Sequence, residues 1–396
     1  MLSLHDMLFG SNTETIQEHP SEPFVEGVRL WSGSLPGQSE LLDGFSSLMA
    51  QGRMPHFLVL GGQTGCGQLI AALSIAQTLL CSNPTAPCGH CRACKRVGDL
   101  NHQDLHITFP TIGAKAVSLD FYAQWRDAFF ENPYMNVTEW VSVIDKEGKL
   151  PNITVAECEA FEEQFSMKAF LGDKKVFVIW LPEYLGKEGN KLLKILEEPP
   201  ADSYIIMATD NESALLPTIR SRAQRYPMYL PHVDHCIEYI VRSQNVSEIE
   251  ARTCLLIADN NLAQALHWSR DTESPYLELT KALFRSAYTG QTVGMMEWVE
   301  KVSTLGRDKQ NAQLKYILQM LSLALRMKNN VLHPVEFQND MLDYVFKLSN
   351  GLSEPQIEKI SDLIDDAIVA VNRNANAKIL MTDFIIQLAA CLVLKK

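Results

Sequence analysis

The sequence predicts an α/β domain built on a parallel sheet and followed by wholly helical parts. Three observations carry that expectation. Short apolar runs alternate with helix-like segments as far as about residue 230, which is the order of strands and covering helices in a parallel sheet. One of those runs enters a glycine-rich turn that opens a helix. Beyond Pro231 the strand signal fades and only helical spacing is left.

The elements follow in order. Residues 1–34 carry Ser, Asn, Glu and Pro without periodicity and read as an irregular, loosely docked extension. From Ser39 to Met49, Leu41, Leu42, Phe45 and Leu48 fall on one helical face. Phe57 to Leu60 reads as a buried strand, and Leu69 to Leu80 as a buried helix. Leu105–Phe109, Val176–Leu181 and Ile205–Ala208 are three more strand candidates. Thr154 followed by Glu157 has the pattern of a capping box and predicts a helix to about Ala169. Asn190 to Leu196 is helical and stops at Pro199-Pro200. Residues 111–150, polar and aromatic with Trp125 and Trp140, match no motif. Late in the chain Leu314, Ile317, Leu318, Leu321 and Leu325 form one stripe, and Ala377, Met381, Phe384, Ile385, Leu388 and Leu392 another. Both read as core faces.

Composition narrows the function classes. The 396 residues suffice for two or three domains. A net charge of −12 argues against a protein whose main task is to grip nucleic-acid backbone. No apolar stretch approaches a bilayer span and no signal pattern opens the chain, so a cytoplasmic, membrane-free setting is expected. Of the nine cysteines, Cys66, Cys158, Cys236, Cys254 and Cys391 are scattered among apolar residues and read as small core residues.

Two motifs bear on chemistry. Gly62-Gln-Thr-Gly-Cys-Gly-Gln-Leu69 keeps the glycine spacing of a phosphate loop, with Gly62, Gly65 and Gly67 between a strand and a helix. The lysine of such a loop is replaced by Gln68, which brings no charge to a phosphate. The magnesium-binding hydroxyl is replaced by Leu69. No working ATP and magnesium site is expected. The second motif is Cys81, Cys88, Cys91 and Cys94, spaced C-x6-C-x2-C-x2-C around Pro87, Gly89 and His90. Four thiolates close a tetrahedral shell, the form of a structural zinc site, with iron–sulfur ligation as the alternative. Nearby Arg92, Lys95 and Arg96 read as a solvated face.

Several further segments resemble the clamp-loader subunits of bacterial DNA polymerase III, which are AAA+-like proteins. Leu192-Leu-Lys-Ile-Leu-Glu-Glu-Pro-Pro200 is similar to that family's L-L-K-x-L-E-E-P-P signature. Thr218-Ile-Arg-Ser-Arg222 resembles its S-R-C box, with Ala223 in place of the cysteine. Pro87–Cys94 resembles its zinc insertion, His102-Gln-Asp-Leu-His106 the segment after it, and Arg53-Met-Pro-His56 the approach to the first strand. Asn374–Lys378 suits the family's last collar helix.

The resemblance implies an order of domains: a 1–34 extension, an AAA+-like α/β domain at 35–230 with a zinc insertion at 81–94, a helical lid at 231–272 and a helical collar at 273–396. It also implies that the acidic pair of an active ATPase aligns on Trp180 and Leu181, and the lid's sensor arginine on Ala263. With Gln68 and Leu69, these losses point to the delta-prime branch, a non-hydrolysing subunit. Its Arg222 would act in trans in a neighbour's ATP site, with Arg220 the weaker candidate. Implied partners are gamma/tau-like and delta-like subunits and, through the assembly, the sliding clamp and primer-template DNA at a bacterial nucleoid-associated replisome. The rivals are an active clamp-loader ATPase, which position 68 disfavours, and a zinc-containing DNA-binding module.

Overall fold

The computed structural model describes residues 29–145, 149–270, 275–329 and 340–393. The first 28 residues of the expected extension and the expected lid–collar boundary lie outside the described residues.

Five strands form one parallel sheet: β1 (Phe57–Gly61), β2 (Leu105–Thr108), β3 (Lys175–Trp180), β4 (Ser203–Thr209) and β5 (Gln224–Pro227), in the order β2-β3-β4-β1-β5. Their side chains alternate between two faces, both covered. Leu58, Leu60, Val176, Val178, Ile206 and Ala208 point to one apolar cluster. Phe57, Val59, Phe177, Ile179, Ile205 and Met207 point to the other. The apolar strands β1 to β4 are the ones expected from the sequence. The fifth was missed because β5 is an edge strand whose residues are mostly exposed and which ends in a proline, so it has no apolar run.

The first face is covered by α1 (Ser39–Ala50), α2 (Gln68–Leu80), buried along its length up to Leu79, the short α3 (Arg92–Gly98), and α4 (Tyr122–Glu131) with α5 (Val137–Ile144). The last two come from the stretch that matched no motif. Their role is packing. Trp125, Phe129 and Trp140 are all fully buried, and Phe109, Trp125 and Phe129 stack in series at 4.8 and 5.2 Å. Asn136 caps α5 in a reciprocal box with Glu139.

Residues 31–34, expected to be irregular, form a single 3-10 turn. Trp31 is fully buried, 5.2 Å from Phe129. Its indole donates to the Val97 carbonyl at 3.2 Å. Gln77 of α2 fixes this segment: its Oε1 accepts from Trp31 N–H, and its Nε2 donates to the Arg29 and Cys94 carbonyls, both at 2.9 Å. The aromatic surface of α4 supplies burial that Ser, Gly and Pro around Trp31 do not advertise.

The second face is covered by α6 (Val155–Ser166), a 3-10 run at Pro182–Leu192 kinked at Gly186, α7 (Leu193–Glu197) and α8 (Pro217–Arg220). Thr154 caps α6 as expected, but Glu157 does not return the bond. Its carboxylate instead accepts from the Thr108 hydroxyl and the Ser118 N–H, tying α6 to β2.

Helices α9 (Val233–Gln244), α10 (Glu248–Ile257) and α11 (Leu262–Arg270) join the cluster under the first face. From α12 (Pro275–Thr289) onward a separate apolar cluster forms among α13 (Thr292–Ser303), α14 (Arg307–Lys328), α15 (Asp340–Gly351), α16 (Glu354–Asn372) and α17 (Ala377–Val393). Leu314, Ile317 and Leu321 from one expected stripe, and Met381, Phe384, Ile385, Leu388 and Leu392 from the other, lie in its interior.

Candidate functional site

The glycine loop sits at the carboxyl end of β1, between the ends of β4 and β5, where open α/β sheets bind ligands. Gly65 and Gly67 have φ of 100° and 82°, values that L side chains rarely adopt. What approaches them is protein. A Cβ on Gly65 would lie 2.5 Å from Asn261 Oδ1, and one on Gly67 would lie 2.5 Å from Leu35 Cδ1.

Gln68 is 5% exposed and turns back into the loop. Its Nε2 donates to the carbonyls of Gly62 at 2.7 Å and Gln63 at 3.0 Å, and lies 3.2 Å from Asp210 Oδ1. Thr64 donates its hydroxyl to Asp210 Oδ2 at 2.8 Å. Asn261, just before α11, donates to the Thr64 carbonyl at 2.6 Å. Leu69 points into the core, 5% exposed. The loop is therefore bonded to its own chain on the inside and latched by the helical segment above it.

The end of β3 is apolar. Trp180 is 5% exposed with its ring 6.2 Å from Trp125, and Leu181 is buried at a left-handed φ of 56°. Ala263 is buried in α11. Three polar residues near the loop escaped sequence reasoning. Glu183 accepts from the Thr209 hydroxyl at 2.7 Å and from Asp210 N–H at 3.2 Å. Burial pushes the Glu183 carboxyl above its usual range, and does the same to Asp210, against the Thr64 hydroxyl that favours its charge. The third is Asn261. The polar run Thr209-Asp210-Asn211 at the end of a buried strand was the available signal.

The four cysteines converge. The sulfurs of Cys81, Cys88, Cys91 and Cys94 lie within 4.8 Å of one another, with Cys81–Cys91 at 3.9 Å and Cys88–Cys94 at 4.0 Å. A tetrahedron with metal–sulfur bonds of about 2.3 Å has edges of about 3.8 Å, so the set fits a single ion. An iron–sulfur cluster spreads its thiolates over several irons and needs them farther apart. Burial opposes ionisation of Cys91, but N–H groups of Cys94 and Ser82 and the neighbouring thiols outweigh it and bring the thiol down to about 6. His90 is exposed and its Nδ1 is 2.7 Å from the Cys88 carbonyl, outside the shell.

Arg222 lies far along the chain from both, on the exposed turn after α8. Its Nε donates to Glu197 Oε1 at 2.6 Å and its Nη1 to the Thr218 carbonyl at 2.8 Å. Glu197 belongs to the Leu192–Pro200 signature, so the two resembling segments meet here. Arg220 is half-buried, with an Nε that has no partner. The His102–His106 segment is structural: Asp104 accepts from the N–H groups of Phe170 and Leu171, and His106 stacks on Phe177 at 4.5 Å.

Sheet order, glycine loop and flanking helices define an AAA+-like α/β protein. The profile of the family described as DNA polymerase III, delta subunit, matches residues 37–231. The chain is 31% identical over 223 residues to the DNA polymerase III subunit delta-prime of Bacillus subtilis, covering 56% of each chain. It is 24% identical over 356 residues to that of Escherichia coli, covering 87% of this chain and 92% of that one. A gamma/tau subunit of Mycobacterium tuberculosis matches at 27% over 197 residues, 49% of this chain and 28% of the other. Residues 37–231 thus resemble the DNA polymerase III delta-subunit family, and along most of its length the chain is similar to a DNA polymerase III delta-prime subunit.

Proposed function

We propose that this chain is a non-hydrolysing clamp-loader subunit, acting by position and not by its own nucleotide chemistry. The observation that carries the reading is the Gln68 amide, which occupies the loop where a phosphate-binding lysine would extend. Trp180, Leu181, Leu69 and Ala263 add no magnesium ligand and no second cation. The assignment of 35–230 to an α/β domain, 231–272 to a lid and 273–396 to a ring-forming collar belongs to the same proposal. So do one structural zinc on Cys81, Cys88, Cys91 and Cys94, gamma/tau-like and delta-like partners, cytoplasmic action at the replisome, and loading of the sliding clamp on primed DNA.

In this reading Arg222 faces a neighbour's ATP. A guanidinium is always protonated and presents a planar fork, the group suited to charge developing on a transferring phosphate. Its present partner, Glu197, is exposed, and an exposed pair is weak enough to be exchanged for a phosphate in the assembly. Arg222→Ala, placed in a reconstituted loader, should leave assembly and zinc content intact. It should slow clamp-stimulated ATP hydrolysis by about 10³-fold or more at the one site this subunit borders. Arg222→Lys should rescue poorly. Unchanged hydrolysis at that site, with assembly verified, would remove the trans role. Micromolar binding of Mg-ATP to the isolated chain by calorimetry would overturn the passive loop.

A further inference from the structure

A cavity unrelated to the glycine loop opens between α3 and the Phe170–Lys174 loop, with the end of α2 as its third wall. It gathers cations on a chain that has 47 acidic and only 35 basic residues. Arg92 and Arg96 stand four residues apart on one face of α3, and Lys174 faces them from the opposite wall. Among the described residues, none of these three side chains makes an ion pair or a hydrogen bond. The loop that carries Lys174 is not free to drift. The buried Asp104 carboxylate accepts from Phe170 N–H at 2.5 Å and from Leu171 N–H at 2.8 Å. Asp173 is the one exposed acid on the lining.

His102 adds a donor. It is 7% exposed, borders the cavity, and its Nδ1 accepts from Asp104 N–H at 3.1 Å. A neutral imidazole with an accepting Nδ1 carries its proton on Nε2, and among the described residues no protein acceptor takes that proton. Burial lowers the pKa of His102, which favours the neutral ring. The cations have a competing use, as countercharge to the thiolate cluster beside them. The sulfurs, however, take their bonds from backbone, Cys81 from Asn83 N–H and Cys91 from Cys94 N–H, and none of the three cations bonds to a sulfur.

We propose that this cavity binds a phosphate group, held between the Arg92–Arg96 face of α3 and Lys174. Two guanidinium forks and an ammonium supply more donors than one carboxylate can accept, and phosphate oxygens can accept them all. The phosphate could belong to a free polyphosphate or to a nucleic-acid strand. The proposal does not depend on the clamp-loader reading, because it needs only the α3–loop geometry.

The test uses the full zinc-loaded chain, with pyrophosphate as the probe and titration followed by calorimetry and by arginine side-chain NMR. Saturable binding that shifts the Arg92 and Arg96 guanidinium signals is expected. Arg96→Ala should weaken it about 10–100-fold, the loss of a charge-assisted hydrogen bond, while Arg96→Lys should recover part of it. Lys174→Ala lies far from the cysteines in sequence and gives the same reading if the α3 variants lose metal. A single-stranded oligonucleotide that competes with pyrophosphate would assign the site to strand phosphate. One that does not compete would assign it to free polyphosphate. Binding unchanged in both Arg96→Ala and Lys174→Ala would overturn the proposal. So would equal binding of oligoglutamate, which would make the cavity a seat for an acidic peptide.

Discussion

The glycine loop and the cysteine module sit at opposite ends of the same helix, α2, and have been treated in opposite ways. In the loop, the spacing of the glycines survives while the groups that would meet a ligand have been exchanged for groups that meet the protein. Gln68, Thr64 and Asn261 bond to loop carbonyls and to Asp210, and Leu35 crowds Gly67. In the cysteine module all four ligands persist, and their sulfurs stand at the separations that one ion would impose. On the proposed reading, a turn of backbone is kept here for its shape without the chemistry of a phosphate site. A tetrathiolate shell has no comparable second use, because four thiols of which only Cys94 is buried contribute little packing.

Three experiments sharpen or break that contrast. Cys91→Ser has the largest expected effect: about one zinc per chain should fall to none by elemental analysis. Local order around α3 should be lost while the far-UV signal of the sheet remains. Full zinc content in the variant would mean that the module does not depend on its fourth thiolate.

Trp180→Asp returns an acid to the end of β3, and should cost about 3–5 kcal/mol in urea unfolding, because a large aromatic leaves the core and a carboxylate enters it. Near-neutral stability would show that space for chemistry was retained there.

Asp210→Asn probes the filling of the loop and has the smallest effect. The Asp210 carboxyl lies above its usual range in the fold, with burial as the chief cause. Such a group holds its proton more tightly folded than unfolded. Its contribution to stability is therefore complete below the ordinary aspartate range, near pH 4, and is lost as pH rises through the folded value. The variant should flatten the fall in stability with rising pH when denaturation is compared from about pH 4 to about pH 7. An identical slope in wild type and variant would mean that water reaches the carboxylate and the loop is open.

The parts of the molecule that could be read in advance are those with a short-range signature. Four apolar runs gave four strands, the late stripes gave a helical core, and cysteine spacing gave four sulfurs that converge. Side-chain direction could not be read. Nothing in the letter Gln at position 68 says that the amide folds back onto the carbonyls of Gly62 and Gln63. Residues 122–144 went unassigned although Trp125 and Phe129 stand one helical turn apart, because the ring that Trp125 stacks on, Phe109, comes from outside the segment. Arg92 and Arg96 read as solvated, and only the fold brings Lys174 and His102 to them.

Gln77 has a consequence for how the protein can be cut and how it can change. Its single amide holds the Arg29 and Cys94 carbonyls and the Trp31 N–H, joining a segment before the α/β domain to the far side of the cysteine module. A truncation that starts at Leu35, where the sequence pattern would place the domain's edge, removes two of those three partners and uncovers the aromatic stack beneath Trp31. Drift is constrained in the same way. A substitution that frees the leading segment also removes a bond from the backbone of Cys94, so the two regions are coupled although more than 60 residues separate Arg29 from Cys94.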